Sequence, residues 1–400
     1  MSFVINKDFF KQLINEDIKT PFKNYVLQLK INQLLLDYKN NFITIDKAVE
    51  ELTLLYNKYK ILFDKEVVNF TTKKIERKTY TLQETIKFIE EGKILSIAAD
   101  EQLLNQLPAG NWISGTIPYF MDIDGGKFNK ELLFVDDLTD FVNEYKIVSY
   151  NPQTIQNVAN DAYDNGFSIL IIPAGSQTLT EYSIKVPYFK KIYEKPIIGF
   201  VAGIDLNKIG IDTAKTVFGP SKTISDNAVA IHVKLPDKKI ANIEIINLNT
   251  INQNSVVIEV PQDSFTQGDC LIDGKPANLY DFVVQNNYTR PFVADYDGAV
   301  INRDIMTKDE KTRTITLYSP MFKGIKYRLA NPIDDYYLKF TQMLEKVETS
   351  NVAYSTICVS YYGLAKLENR KLKMTGPFTF GEIGYHLLNQ TLVFLKIIEP

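Results

Sequence analysis

The spacing of apolar residues changes near residue 80, and this change constrains the fold more than any other feature of the chain. Before it, Phe22, Tyr25, Val26 and Leu29 follow the i, i+3, i+4, i+7 spacing of one helix face. After it, short runs rich in β-branched residues, such as 228–235, alternate with helical segments. Because 400 residues exceed one average domain, the sequence predicts a helical extension followed by an α+β body.

The helical extension is assigned to residues 1–75. Its second helix is predicted to be capped by Asp46, with Glu50 in the first turn, where a carboxylate favours the helix dipole. Two amphipathic helices joined near residues 40–41 make a helical hairpin, and the polar, basic segment 71–78 indicates a linker. Such a hairpin must bury its apolar stripe, either against the following domain or against a partner protein.

The body is predicted to form two mixed-sheet halves with flanking helices, 80–260 and 261–400, for which an α/β/β/α layering is one arrangement. Thr81 and Glu84 form a capping box at its first helix. The other predicted elements are strands at 93–99, 112–120, 167–172, 228–235, 241–248, 255–260, 299–305, 313–318, 324–329, 352–359 and 392–398, helices at 151–166 and 331–348, and tight turns at 273–274 and 297–298.

Composition disfavours several classes of function. Forty-five Lys and Arg against 48 Asp and Glu give a net charge of −3, without the basic excess of a nucleic-acid-binding protein. Two cysteines and two histidines disfavour a disulfide framework and a zinc site, so no metal and no cofactor is predicted. No secretory signal is visible, and the apolar runs are too short to cross a bilayer. We expect a cytoplasmic protein, of bacterial origin because the chain is rich in Lys, Asn and Ile.

Ser176 occupies the position of a nucleophile elbow, between a predicted buried strand and a possible helix. The elbow requires glycine on both sides of the nucleophile, and Gln177-Thr178 does not supply it. The alternative is a turn in which the Ser176 hydroxyl caps the next helix. Only His232 and His386 could act as imidazole bases, and the strand context of His232 favours a hydrogen-bonded sheet residue.

The segment 376–391 carries the most informative local chemistry. Gly381 precedes Glu382, and Asn389 follows at the start of the last predicted strand, so polar groups gather at the mouth of that strand. The alternative is a turn with a capping carboxylate. Cys358 lies in an apolar strand, where a buried core thiol and a thiol facing a ligand are both open.

The block 376–395, GPFTFGEIGYHLLNQTLVFL, resembles the end of the C-terminal FIST domain, in which a glycine-flanked Gly-Glu-Ile precedes an Asn-x-Thr-type strand start. The strand of Cys358 is similar to the cysteine-bearing FIST strand just upstream. The segments FSILIIPAGS and PIIGFVAG look like the N-terminal FIST half, and LPAGNWISGTIPYFM and PFVADYDGA resemble an uncharacterised bacterial family that we take to be FIST-related. The resemblance covers 80–398 and implies a sensory module that binds a small ligand such as an amino acid.

The leading hypothesis is therefore a non-catalytic, ligand-binding protein of signal transduction. The resemblance also implies an arginine beside the cysteine, but 359–362 lacks it, and Arg328 is the candidate substitute. A cleft between the two α+β halves would hold a small molecule, since pockets favour domain junctions. The predicted ligand-binding residues are Cys358, Glu382, Gly381, Asn389, Arg328 and Ser176.

Two other functions stay open. One is a structural or adaptor subunit of a bacterial, secretion-type assembly that docks on a protein partner through residues 1–70. The other is an enzyme in which Cys358 is the nucleophile and Glu382 the acid or base, which requires the two side chains to lie within hydrogen-bonding reach.

Overall fold

The computed structural model describes residues 5–15, 25–64, 76–296, 299–349 and 351–399. Phe22, most of the predicted linker 71–78 and the predicted turn at 297–298 lie outside these residues. The α-helices of the described residues are α1 (Lys7–Ile14), α2 (Tyr25–Lys39), α3 (Ile45–Asp64), α4 (Leu82–Glu90), α5 (Glu101–Leu104), α6 (Val158–Asp161), α7 (Gln177–Lys185), α8 (Leu279–Gln285), α9 (Tyr336–Glu345) and α10 (Val359–Leu364).

The strands up to residue 260 are β1 (Lys78–Tyr80), β2 (Leu95–Ala99), β3 (Trp112–Thr116), β4 (Tyr119–Asp122), β5 (Gly125–Phe128), β6 (Leu133–Asp137), β7 (Glu144–Tyr150), β8 (Gly166–Pro173), β9 (Ile197–Ala202), β10 (Thr216–Phe218), β11 (Thr223–Ser225), β12 (Ala228–Lys234), β13 (Ile240–Asn247) and β14 (Ile258–Glu259). The later strands are β15 (Ser264–Gln267), β16 (Asp269–Ile272), β17 (Lys275–Asn278), β18 (Phe292–Tyr296), β19 (Ala299–Arg303), β20 (Ile305–Asp309), β21 (Thr314–Met321), β22 (Arg328–Leu329), β23 (Val352–Cys358), β24 (Gly376–Thr379), β25 (Glu382–Gly384), β26 (His386–Leu388) and β27 (Thr391–Ile398). The predicted α+β class with N-terminal helices is confirmed.

The chain forms two compact units, each built from separate stretches of sequence. The first unit combines 1–68 with 249–332, and the second unit combines 69–248 with 333–399. These units differ from the predicted consecutive segments 1–75, 80–260 and 261–400, because the chain leaves the second unit at residue 248 and returns to it at residue 333. Strand pairing between distant segments produces this arrangement, and apolar spacing along the chain does not reveal it.

The second unit contains three six-stranded mixed sheets. Their strand orders are β1-β6-β2-β3-β10-β11, β26-β25-β9-β8-β12-β7 and β13-β27-β23-β24-β4-β5. Each sheet has one parallel pair, namely β2 with β3, β8 with β9, and β23 with β24. Strand β9 contacts strands of both other sheets, and every residue of β8 is buried, as its continuous apolar run predicts.

Two predicted elements of the second unit are wrong. The predicted strand 112–120 is two strands in different sheets, because Pro118 has no N–H to continue the ladder. The predicted helix 151–166 is reduced to a 3₁₀ turn, Ile155–Asn157, followed by the short α6. Its start is a tight turn, in which the side chain of Asn151 accepts hydrogen bonds from two backbone N–H groups downstream.

The first unit contains α1, α2, α3, α8 and three three-stranded sheets, β14-β16-β17, β15-β21-β20 and β19-β18-β22. The N-terminal helices pack inside this unit: α2 contacts α3, β18 and β19. The apolar residues of α2 that are fully buried include Val26, Leu27, Leu29, Ile31 and Leu34. The described part of the apolar stripe is therefore covered by its own chain.

The predicted N-terminal hairpin is present, with a third helix, α1, that the sequence analysis did not predict. The predicted cap at Asp46 is wrong. Helix α3 begins two residues earlier than this cap implies, at Ile45, and the hydroxyl of Thr44 accepts the backbone N–H of Lys47. Asp46 lies in the first turn, where its charge still favours the helix dipole. Among the described residues, no helix is both long enough and apolar enough to span a membrane.

Candidate functional site

Four strand ends meet around one buried carboxyl group in the second unit. Cys358 ends β23 and pairs in parallel register with Thr379, the last residue of β24. Thr391 begins β27, and Glu382 begins β25. The side chains of Thr379 and Thr391 contact Glu382, and Cys358 lies beside them, so the four residues form one group. We call these four residues the Glu382 cluster.

The Glu382 carboxyl group is fully buried and receives hydrogen bonds on both oxygens. The Thr379 hydroxyl donates to Oε1 at 3.1 Å. Thr391 donates twice to Oε2, from its hydroxyl at 2.7 Å and from its backbone N–H at 3.2 Å. No cationic side chain of the described residues pairs with this carboxyl group. A buried carboxylate without a cation is costly, so the site favours the neutral acid.

The Cys358 thiol lies close enough to the Glu382 carboxyl group for each to affect the pKa of the other. Its sulfur lies 3.6 Å from the Ser360 hydroxyl. Gln390 has a left-handed backbone, with φ of 49°, in the turn that precedes β27. The thiol and the carboxyl group are therefore a neighbouring pair in which each group has its own hydrogen-bond partner, Ser360 for the thiol and the two threonines for the carboxyl group.

Burial sets the protonation of this pair. It raises the pKa of Glu382 to about 8, although hydrogen bonds from Thr391, Thr379 and Cys358 act in the opposite direction. The pKa of Cys358 is raised far above its ordinary value, first by burial and then by the adjacent Glu382. Near neutral pH the cluster is therefore a mostly neutral acid beside a neutral thiol. A neutral carboxylic acid can donate a hydrogen bond as well as accept one.

Two further predicted residues lie beside the cluster. Gly381 is buried, and a side chain there would press on Leu387 at 3.0 Å and Val201 at 3.2 Å. Its carbonyl group accepts the backbone N–H of Val201, so glycine is required for close packing. Asn389 is buried in the turn between β26 and β27, two residues before Thr391.

Ser176 and Arg328 are not part of this group. Ser176 caps α7: its hydroxyl accepts the N–H of Leu179 at 3.1 Å and donates to the carbonyl group of Pro173 at 2.8 Å. The capping alternative from the sequence is thus confirmed. Arg328 belongs to the first unit, and its guanidinium group donates to the carbonyl groups of Gln253 and Ser255. Arg328 therefore binds backbone carbonyl groups of the segment 253–255.

Both histidines are engaged by tyrosines. His232 lies 2.8 Å from the Tyr150 hydroxyl through Nε2 and 2.7 Å from the Ser168 hydroxyl through Nδ1. Burial lowers the pKa of His232 to about 4, so the ring is neutral. The prediction of a hydrogen-bonded sheet histidine is confirmed. His386 Nε2 lies 2.7 Å from the hydroxyl of Tyr193.

Thr379 is a member of the cluster that was not among the predicted site residues. A signal was present, since a Glu in an otherwise apolar block needs nearby donors, and Thr379 stands three residues before it. In the described residues, no three His, Cys, Asp or Glu side chains gather in a group that could hold a metal ion.

Comparison with known proteins places the cluster inside a family. A protein-family profile matches residues 80–398. The chain belongs to DUF6976, a family of unknown function. No curated protein and no solved structure matches the chain. The DUF6976 match includes the whole Glu382 cluster and leaves out α1, α2 and α3. It does not bear on the FIST resemblance, which stays a prediction.

Proposed function

We propose that this DUF6976 protein is a non-catalytic sensory protein that recognises a small polar molecule through the Glu382 cluster. The observation that carries the proposal is the fully buried Glu382 carboxyl group, which is held by two threonine hydroxyl groups and pairs with no cation of the described residues. Ionisable groups whose pKa is displaced by burial concentrate at functional sites. The FIST resemblance of 376–395 supports the same reading and adds the expectation of a role in signal transduction.

The chemistry of Cys358 supports binding and argues against catalysis. An enzyme would require Cys358 and Glu382 to act together, and the two groups are neighbours that affect each other's pKa. A cysteine nucleophile acts as the thiolate, and the raised pKa keeps Cys358 in the thiol form. The neutral Glu382 carboxyl group can donate hydrogen bonds to a ligand and accept them from it. This role requires no covalent bond to the ligand.

The burial of the cluster gives binding a structural consequence. The four side chains are at most 3% exposed, and the hydrogen bonds of Glu382 are made within the protein. A ligand that contacts Glu382 must replace at least one of these internal bonds, so binding and a local rearrangement are coupled. A sensor requires this coupling, because ligand binding then changes the structure of the surface that a downstream protein would bind.

The burial of α2 weakens the support for the adaptor function, which stays the alternative proposal. That proposal required an uncovered apolar stripe on the N-terminal helices, whereas Val26, Leu29 and Leu34 of α2 are buried within the first unit.

A thermal-shift screen against amino acids and other polar metabolites tests the proposed function. Three proteins are compared: wild type, Glu382→Leu, which removes the buried polar group, and Glu345→Leu as the control, because Glu345 is exposed on α9. Compounds that bind the cluster should raise the melting temperature of wild type and of the control, with no effect on Glu382→Leu. If Glu382→Leu fails to fold, Thr379→Val takes its place, since it removes one donor and keeps the side-chain shape.

A further inference from the structure

A buried arginine in the first unit has no anionic partner among the residues that the structure describes. Arg303 is the last residue of β19, and its side chain is only 1% exposed. Its Nη1 donates to the carbonyl group of Asn302 at 3.0 Å and to the Ser319 hydroxyl at 3.3 Å. The hydroxyl groups of Tyr296 and Tyr327 lie near its guanidinium group and raise the pKa of Arg303. Nε is buried and has no hydrogen-bonding partner in the described part of the chain.

The other buried cationic side chains of the described residues are paired with carboxylates. Arg77 pairs with Asp136 at 2.5 Å, and Lys195 pairs with Asp164. Arg303 instead faces neutral groups. Because a guanidinium group keeps its charge inside proteins, Arg303 carries a positive charge that no carboxylate of the described residues balances. The Phe322 ring, 5.6 Å away, offers attraction to the cation but no acceptor for Nε–H.

The hydroxyl groups near Arg303 can donate hydrogen bonds. The Tyr327 oxygen accepts the backbone N–H of Phe322 at 2.8 Å, which leaves its own proton to donate. The Tyr296 hydroxyl lies 3.5 Å from the Tyr327 hydroxyl, and burial keeps the Tyr327 phenol neutral by raising its pKa. A guanidinium group with one unsatisfied N–H, beside tyrosine and serine hydroxyl groups, matches the chemistry of an oxyanion site, because arginine is the preferred partner of such anions.

We propose that Arg303, with Tyr296, Tyr327 and Ser319, forms a binding site for a small oxyanion of the carboxylate, sulfate or phosphate type. The anion balances the charge of Arg303 and accepts the hydrogen bond from Nε. This site is built entirely from the first unit, so it stands independently of the function proposed for the Glu382 cluster.

The test is a titration of the full-length chain with acetate, sulfate and inorganic phosphate at ionic strength held constant by KCl, followed by thermal unfolding. Wild type is expected to show a saturable increase in melting temperature with at least one of the three anions. Arg303→Met should bind that anion at least about tenfold more weakly, which corresponds to the loss of a charge-assisted hydrogen bond. Arg328→Met is the control, because this arginine of the same unit binds carbonyl groups, and it should respond as wild type does.

The proposal is overturned if none of the three anions stabilises wild type in a saturable way, or if Arg303→Met retains the full response. Should Arg303→Met not fold, equilibrium dialysis of wild type with radiolabelled acetate, sulfate and phosphate decides: a saturable site for one of them that Arg303→Lys weakens supports the proposal, and the lack of any saturable site refutes it. The three anions separate a carboxylate ligand from a sulfate- or phosphate-bearing one.

Discussion

Glu382 and Thr391 are joined by two hydrogen bonds to the same carboxyl oxygen, one from the Thr391 hydroxyl and one from its backbone N–H. The first residue of β27 is thereby fixed to the first residue of β25. This contact closes the loop between two strands that belong to different sheets. Loss of the carboxyl group therefore leaves the Thr391 backbone N–H without its acceptor and also disturbs side-chain packing.

Glu382→Ala is expected to lower the free energy of unfolding by about 2–4 kcal/mol, because it leaves a buried N–H unsatisfied and opens a cavity. Chemical denaturation of the variant and wild type measures this difference. Glu345→Ala is the matched control and should stay within about 0.5 kcal/mol of wild type, since its side chain is exposed on α9. Equal effects of the two substitutions would contradict the assigned role of Glu382.

The ionisation of Glu382 should make stability depend on pH with a defined sign. Its pKa is about 8 in the folded chain against 4.5 as the ordinary value, so between these pH values the folded state binds more protons than the unfolded state. The contribution of Glu382 to the unfolding free energy therefore falls as pH rises through this window, by at most about 1.4 kcal/mol per pH unit.

Glu382→Gln isolates that contribution, because glutamine mimics the neutral acid and does not titrate. Relative to wild type, the variant should gain stability steadily from about pH 5 to pH 8. Urea unfolding at a series of pH values provides the comparison. A stability difference that does not change with pH, or one that changes in the opposite direction, would show that the carboxyl group is ionised in the folded chain.

Cys358 should resist alkylation in the native protein, because it is 3% exposed and burial raises its pKa far above neutrality. Cys270 is also buried, and its pKa is raised to about 11, first by burial. Iodoacetamide labelling followed by peptide mass spectrometry should therefore modify both thiols in denaturant and neither at native conditions within the same time. Rapid native labelling of Cys358 would indicate an exposed, reactive thiol and would revive the catalytic alternative.

The buried Arg77–Asp136 pair provides a stability prediction that does not involve the candidate site. Arg77 also donates to the Ser355 hydroxyl at 2.6 Å, and so ties β23 to the neighbouring sheet. Asp136→Asn should cost about 3–5 kcal/mol, because it leaves a buried guanidinium group without its anion. The double variant Arg77→Met with Asp136→Asn should recover part of this loss. Denaturant unfolding of the two variants measures whether the Arg77–Asp136 ion pair contributes to the free energy of unfolding.

Local signals in the sequence predicted local structure well. The capping box at Thr81 and Glu84 is present in both directions, and the predicted turn at Asp273-Gly274 joins β16 to β17 with positive φ at both residues. These features depend on a few adjacent residues, so a single sequence contains what is needed to find them.

Long-range pairing is what the sequence does not show. Cys358 and Glu382 could be named from their apolar surroundings, but their contact depends on the register of β23 with β24, which no local pattern specifies. Arg328 and Ser176 were grouped with them because a linear pattern cannot separate a carbonyl-binding arginine or a helix cap from a ligand contact. Arg303 was missed although it follows Ala299 and Ile301 on the buried face of its strand.

The most direct test of the central claim is a calorimetric titration with the metabolite that stabilises wild type most in the thermal-shift screen. Binding at the Glu382 cluster predicts a single saturable event for wild type and for Glu345→Leu, with the dissociation constant raised at least about tenfold in Glu382→Leu. Equal affinities for wild type and Glu382→Leu, or a library in which no compound binds wild type, would contradict the proposal that this cluster is a ligand-binding site.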